Sequence, residues 1–234
     1  MVTRLDELRS PMVAERARHT LLAVPLGATE QHGPHLPVGT DTVIASELCR
    51  RLAAAMPEEV VVGPAVAYGS SGEHAGFAGT VSIGQEALEL LLVELVRGAA
   101  DFAGVVLVNG HGGNLVPLRA AVRRLRAEGR PVLAWSPSGR PDDSHAGHAE
   151  TSVMLRLRPD TVALRHAVRG NTDPLPDLID RLRRGGLAAV SANGVLGDPT
   201  RATAADGDRQ LGTWAAALID CVAQRFPPPA TATK

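Results

Sequence analysis

Carboxylate and imidazole side chains follow the first strongly apolar stretch of the chain, residues 21–26. Glu30, His32 and Asp41 lie in the loop after this stretch and at its end. Residues two apart in extended backbone point to the same side, so Glu30 and His32 are expected to face a common point. Oxygen and nitrogen ligands of this kind bind divalent metals. The pattern therefore predicts a site for one or two divalent ions.

Two later stretches carry the same residue types after apolar segments. His111 lies in the turn 109–114, Asn-Gly-His-Gly-Gly-Asn, and Glu150 lies with His145 in the segment 145–152, HAGHAETS. A glycine-rich turn between a strand and a helix also fits a phosphate-binding loop. The turn 109–114 thus has two interpretations, a metal ligand or a phosphate or nucleotide site.

The apolar periodicity indicates the elements that position these residues. Predicted strands cover 21–26, 60–66, 105–108 and 132–135, and predicted helices cover 41–56, 85–102, 115–128, 175–184 and a last stretch ending at 226. Thr40 is the expected N-cap of the helix 41–56, and glycine-rich loops are expected at 68–80 and 194–208.

The alternation of strands and helices favours an α/β fold with three α/β/α layers around a mostly parallel sheet. Ligands in such folds gather at the carboxyl ends of the strands, which is where the metal-type residues fall. We expect one domain over 1–234, with a frayed tail at 227–234.

Composition excludes several functions. The chain of 234 residues has a net charge of -1, which gives no general attraction to nucleic acid or to a membrane surface. Its only lysine is Lys234, so Walker A and Schiff-base chemistry are excluded. Cys49 and Cys221 lie in helical apolar segments and are expected to be reduced. Together with the lack of a signal peptide or an apolar run of membrane-spanning length, this predicts a cytoplasmic protein.

Four segments resemble the creatininase family of metal-dependent amide hydrolases. They are PLGATEQHGPHLPVGTD, GEHAGFAGTVSIG, VNGHGGN and HAGHAETS. The resemblance implies a dinuclear metal site on a three-layer α/β/α fold and a homo-oligomer such as a hexamer. It also implies two divalent ions per subunit, and the ligand types admit Zn, Fe or Mn.

Matched to the family's motifs, Glu30 and His111 would bind one ion, His32 the other, and Asp41 both. The chain departs from creatininase at Gly113, where creatininase has a glutamate. The resemblance to other branches of the family implies that Glu150 replaces that ligand and takes part in catalysis. His145 matches the group that protonates the leaving amine, although it or His148 could instead orient a ligand.

The segment RRGGLAAVSANGVLGDPTRATAADG and the wording HAGHAETS resemble one branch of the family. That branch implies cleavage of a modified, ribosomally made precursor peptide, with release of its carboxy-terminal Val-Tyr-derived dipeptide. The alternative within the family is hydrolysis of a small cyclic or formyl amide. Candidate substrate-contacting residues are Glu73, His74, Phe77 and Trp135, with Tyr68 expected nearby.

Overall fold

Four parallel strands form the central sheet of the computed structural model, which describes residues 2–227. The strands are β1 Leu21–Leu26, β2 Val60–Val62, β3 Gly104–Asn109 and β4 Val132–Trp135. Their order is β2-β1-β3-β4, and in the register Leu21 pairs with both Val60 and Gly104. All strand pairs are parallel, so the carboxyl ends of β1, β3 and β4 meet at one edge.

Helices cover both faces of this sheet. They are α1 Ser10–Arg16, α2 Thr40–Ala55, α3 Gln85–Gly98, α4 Leu115–Ala127, α5 His148–Leu157, α6 Leu175–Gly185 and α7 Ala204–Arg225. Within the described part of the chain, none combines the length and the apolar character needed to cross a membrane.

Alternation along β1 divides the apolar core into two clusters. Leu21 and Ala23 pack with residues of α2 and α7, whereas Leu22, Val24 and Leu26 pack with residues of α3 and α4. Successive side chains of a strand point to opposite faces, so one fully buried strand contributes to both clusters. The predicted α/β fold with three layers is confirmed.

Several predicted boundaries need correction. Thr40 does not cap α2 but begins it, and its hydroxyl donates to the carbonyl oxygen of Pro37 at 2.7 Å. The strand predicted at 60–66 ends at Val62, with only an isolated bridge from Leu26 to Val66. The helix predicted at 85–102 ends at Gly98.

The starts of two helices were not predicted, since no element was assigned to the HAGHAETS segment and a loop was expected at 194–208. Helix α5 begins inside the HAGHAETS segment, and α7 begins at residue 204 within the stretch predicted as the loop 194–208. Thr203 caps α7 by accepting a hydrogen bond from the amide of Asp206. The predicted tail 227–234 lies outside the described residues except for Pro227, and the single domain stays a prediction.

Two glycines bring α2 close to the sheet edge. A Cβ atom on Gly27 would lie 2.2 Å from Oγ1 of Thr42, and one on Gly110 would lie 2.6 Å from the carbonyl oxygen of Asp41. The first turn of α2 therefore packs closely between the ends of β1 and β3. Asp41 is thereby held between the two loops that carry the other metal-type residues.

The close contact at Gly27 predicts that any side chain at that position destabilises the folded protein. Gly27→Ala should lower the free energy of unfolding by about 1–3 kcal/mol, because the new Cβ meets backbone as well as side-chain atoms of Thr42. Gly212→Ala, in α7 with open space around the glycine, should be neutral or stabilising by up to about 1 kcal/mol. Equal urea midpoints for the two variants would contradict this packing.

Candidate metal centre

Glu30, His32, Asp41 and His111 meet in one buried cluster at the carboxyl edge of the sheet. Glu30 and His32 follow β1, Asp41 lies in the first turn of α2, and His111 follows β3. All four side chains are buried, Glu30 and His32 completely. The structure therefore brings together the four residues that were predicted as ligands from the first two sequence motifs.

Asp41 lies between two imidazoles. Its Oδ1 is 3.0 Å from Nε2 of His32, and its Oδ2 is 3.3 Å from Nδ1 of His111. One carboxylate thus presents a separate oxygen to each histidine. This is the arrangement that a bridging ligand requires, and the bridging role itself stays a prediction.

Glu30 also faces in two directions. Its Oε2 is 3.1 Å from Nε2 of His111, and its Oε1 is 3.3 Å from Nε2 of His74. Neither oxygen of Glu30, nor Oδ2 of Asp41, has a hydrogen-bond partner among the described residues. Buried carboxylate oxygens without partners are costly. The donor set and these unsatisfied atoms fit divalent cations.

Three histidines each place one ring nitrogen on a backbone carbonyl oxygen. The pairs are His32 Nδ1 with Glu30 at 3.1 Å, His111 Nε2 with Ser70 at 3.0 Å and His145 Nε2 with Gln31 at 3.0 Å. A carbonyl only accepts hydrogen bonds, so that nitrogen carries the hydrogen and the other one is free to bind a cation when the ring is neutral. Metal-binding histidines are commonly oriented in this way.

The charges of the cluster shift the pKa values of its members. Burial alone lowers the pKa of His32, but the neighbouring Asp41 outweighs it and raises the pKa to about 10. Burial likewise opposes protonation of His111, but the adjacent carboxylates of Asp41 and Glu30 raise its pKa well above the usual value. Burial raises the pKa of Glu150 and lowers that of His145. Protons on His32 and His111 therefore supply the positive charge that a bound cation would otherwise supply to balance the carboxylates.

Glu150 lies at the edge of the cluster, in the first turn of α5. Its Oε2 accepts a hydrogen bond from the amide of Ala146 at 2.6 Å and is 3.9 Å from Nε2 of His32. Asp143 fixes the start of this helix, because its carboxylate accepts from the amides of residues 148 and 149. His32, His145 and Glu150 form one of the groups whose ligand atoms lie within 4.8 Å of one another.

His148, the other histidine of the HAGHAETS segment, lies elsewhere. Its Nε2 is 3.5 Å from the carboxylate of Asp206 at the start of α7, and the side chain is partly exposed. His145 is the histidine of this segment that faces the cluster, 3.8 Å from Oε1 of Glu30. Of the two histidines left open as acid or orienting group, His145 is thus the one close enough to act.

Glu73 occupies the space beside Gly113. A Cβ atom on Gly113 would lie 2.2 Å from Oε1 of Glu73 and 2.4 Å from Nε2 of His111. Residue 113 therefore has no room for a side chain, and the carboxylate of Glu73 lies there instead, 3.6 Å from His111. Although position 113 has no glutamate of its own, the carboxylate of Glu73 thus lies beside it.

The phosphate interpretation of the turn 109–114 is disfavoured by its surroundings. The side-chain amide of Asn109 donates to the backbone carbonyl of His111, and the side-chain amide of Asn114 donates to the backbone carbonyl of Gly27. These side chains stabilise the turn itself. Carboxylates converge on His111 from several directions, and a phosphate there would meet like charges.

A cavity of about 270 Å³ opens beside the cluster and is lined by His111, His145, Glu150, Arg140 and Trp214, among others. The predicted substrate residues do not line it. Phe77 packs against the small cluster of Leu178 and its neighbours, Trp135 packs against the core, and Tyr68 is 53% exposed. Their roles in substrate binding stay predictions.

Sequence reasoning missed several residues that shape the site. The backbone carbonyls of Gln31 and Ser70 orient His145 and His111. Asp143 fixes the start of the helix that carries Glu150, and Trp214 lines the cavity with its indole donating to the carbonyl of Ser138. Only Gln31 had a sequence signal, because it lies between two predicted ligands. The others come from distant segments whose proximity depends on the fold.

The raised pKa values predict proton release when metal binds. In the metal-free protein His32 and His111 are protonated near neutral pH, and a cation must displace those protons. Zinc binding should release roughly one to two protons, measured by calorimetry in buffers of different ionisation enthalpy. An apparent enthalpy independent of the buffer would contradict the assignment of these histidines.

Comparisons with known proteins identify the family of this chain. The family model described as creatininase, creatinine amidohydrolase, matches residues 6–222. A protein of Mycolicibacterium smegmatis named mycofactocin precursor peptide peptidase is 55% identical over 195 residues, which are 81% of this chain and 78% of that protein.

Two solved structures share the fold over nearly all of the chain. A mutant creatininase superposes with a TM-score of 0.82 at 27% identity, covering 97% of this chain and 100% of that one. A structure described as "Creatininase Mn" has a TM-score of 0.79 at 25% identity, with the same coverage. The match of the family model across the chain and the close relative show that this protein belongs to the creatininase family.

Proposed function

We propose that this protein is a dinuclear metal-dependent peptidase that hydrolyses an amide bond of a modified precursor peptide. The product would be the carboxy-terminal Val-Tyr-derived dipeptide of the mycofactocin precursor, in keeping with the name of the relative that is 55% identical. The observation that carries the metal-dependent part is the convergence of buried, unpartnered oxygens of Glu30 and Asp41 on oriented histidines.

The geometry supports two neighbouring cation positions that share Asp41. Glu30, His111 and one oxygen of Asp41 would hold one cation, and His32, Glu150 and the other oxygen would hold the second. When bound, two such cations polarise an amide carbonyl and make water acidic enough to attack it near neutral pH. The ligand set admits Zn, Fe or Mn.

His145 is placed to move the proton that the reaction requires. Its Nε2 hydrogen is donated to the carbonyl of Gln31, which leaves Nδ1 facing the cluster. Burial and the neighbouring His32 lower its pKa, so the ring is neutral and accepts the proton of the attacking water at Nδ1. The same nitrogen then returns the proton to the amine as the C–N bond breaks.

The cavity beside the cluster is the proposed place for the peptide. Trp214 and Leu175 give it apolar surface, and Arg140 is the arginine among its lining residues. An apolar wall suits a tyrosine-derived ring. An arginine suits a carboxylate, which the carboxy-terminal end of a precursor peptide carries.

We also propose that the protein works in the cytoplasm as a homo-oligomer. Cys49 and Cys221 are free thiols, which suits a reducing compartment. Leu90 and Val116 are more than half exposed on α3 and α4, and exposed apolar side chains of this size suit a contact between subunits. Light scattering on the purified protein tests the oligomer.

Incubation with two kinds of substrate tests the reaction. The metal-loaded protein should convert the modified precursor peptide into a truncated peptide and a Val-Tyr-derived fragment, both identified by mass spectrometry. A metal-free sample is the control and should leave the peptide intact. Hydrolysis of a small cyclic or formyl amide with no peptide cleavage would replace this proposal by the alternative activity.

Variants of the shared carboxylate test the two cation positions. Asp41→Asn should lose both ions, because the shared ligand loses its negative charge and one of its two oxygens, whereas His32→Asn should lose mainly one. Elemental analysis of the folded variants gives the metal content per chain. Two ions retained by Asp41→Asn would contradict the bridging role.

His145→Gln tests proton transfer. Turnover should fall by about 10²- to 10⁴-fold, the usual loss for a positioned acid or base, while the metal content stays unchanged. His148→Gln is the matched control, since His148 contacts Asp206 outside the cluster and should keep its turnover within a small factor. Metal loss in His145→Gln would make His145 a ligand instead.

A further inference from the structure

Gln31 lies buried between the predicted ligands Glu30 and His32, and its side-chain amide has a fixed orientation. Its Oε1 accepts a hydrogen bond from the amide of Gly33 at 2.8 Å, and its Nε2 donates to the carbonyl of Gly194 at 3.0 Å. A backbone amide only donates and a carbonyl only accepts. The two contacts therefore determine which end of the side chain is oxygen and which is nitrogen.

The contact with Gly194 requires a glycine. The residue has a φ of +75°, and a Cβ atom there would lie 2.1 Å from Oε1 of Gln31. Ser191 stabilises this turn, since its hydroxyl accepts from the amide of Val195 and donates to the carbonyl of the same residue. A segment far along the chain thus holds the Gln31 amide in place.

Nε2 of Gln31 lies near two imidazole nitrogens, Nδ1 of His74 and, at 3.2 Å, Nε2 of His145. Because Nε2 of His145 carries the hydrogen that it donates to the carbonyl of Gln31, the second hydrogen on Nε2 of Gln31 is directed to His74. The distance from Nε2 to Nδ1 of His74 is 3.0 Å, so Nδ1 must offer a lone pair. A neutral imidazole with a lone pair on Nδ1 carries its hydrogen on Nε2. That atom is 3.3 Å from Oε1 of Glu30, and the His74 ring is buried.

His74 therefore differs from the other histidines of the cluster. When neutral, His32, His111 and His145 donate to carbonyl oxygens through one ring nitrogen and leave the other free to bind a cation. His74 accepts from an amide and turns an N–H toward a carboxylate. Although His74 groups with Glu30 and His145 by distance, its Nε2 cannot bind a cation while it carries a hydrogen.

We propose that Gln31 is a positioning residue that holds His74 in the tautomer whose Nε2–H faces Oε1 of Glu30. His74 then presents an N–H to the carboxylate of Glu30 and is not a metal ligand, while Oε2 of Glu30 faces His111. The consequence for metal affinity rests on the proposed metal site. The tautomer of His74 depends only on the contacts with Gln31 and Glu30.

Nitrogen-15 NMR of histidine-labelled, zinc-loaded protein tests the tautomer directly, with His74→Gln used to assign the signals. His74 should show a hydrogen on Nε2 and an unprotonated Nδ1. A hydrogen on Nδ1, or an Nε2 signal that is coupled to cadmium in ¹¹³Cd-loaded protein, would overturn the proposal. This measurement stands apart from peptide cleavage, so failure of the proposed reaction would leave its result readable.

Gln31→Glu tests whether Gln31 sets the tautomer. A carboxylate has no N–H to donate, so Nδ1 of His74 should become protonated, and zinc affinity should fall by about 10- to 100-fold. Gln224→Glu makes the same substitution at an exposed position of α7 and is the matched control. It should change neither the tautomer of His74 nor the zinc affinity. An unchanged His74 signal in folded Gln31→Glu would contradict the role of Gln31.

Gly194→Ala gives a second variant that leaves Gln31 itself unchanged. The added Cβ should displace the Gln31 amide and change the His74 signal in the same direction. The signals of His32 and His111 report whether the rest of the site is intact. Displacement of every histidine signal together, with none specific to His74, would reduce Gly194 to a general structural role and contradict this part of the proposal.

Discussion

The mutual repulsion of buried carboxylates is the constraint on which the rest of this structure depends. Glu30 and Asp41 are enclosed at the sheet edge, with Glu73 and Glu150 directly beside them. Such charges repel strongly in a poorly solvated place unless protons or cations lie between them. The high pKa values of His32 and His111 are the response of the metal-free protein to that excess of negative charge.

The fold holds these groups together by contacts that a side chain would break. Gly27 and Gly110 let the first turn of α2 approach the ends of β1 and β3, and Gly113 leaves room for Glu73. Backbone carbonyls then orient the imidazoles. Stability and function are thus linked, because the elements that bury the core also bring like charges together.

The sequence was sufficient to predict the sheet and the residues that meet in the candidate metal centre. Strands β1 and β4 have the predicted bounds, because short apolar runs ending at glycine or polar residues are strong local signals. Glu30, His32, Asp41 and His111 follow from residue type and from their places after strands. Parallel strands bring those places together whatever the details of the loops.

What could not be predicted depends on contacts between distant segments. The start of α5 is fixed by Asp143 and not by an apolar pattern. The close approach of the Glu73 carboxylate to Gly113 brings together two loops that are separate in sequence. The contact of Gln31 with Gly194 spans most of the chain. Trp214 has ordinary helical spacing, so nothing local marks it as a cavity residue.

Anomalous diffraction from crystals of the metal-loaded protein, recorded at the absorption edge of the bound metal, tests the central claim most directly. We expect two peaks, one on either side of the Asp41 carboxylate, roughly 3.5–4 Å apart. One peak should lie next to His111 and Glu30 and the other next to His32. A single peak, or strong peaks away from Asp41, would contradict it.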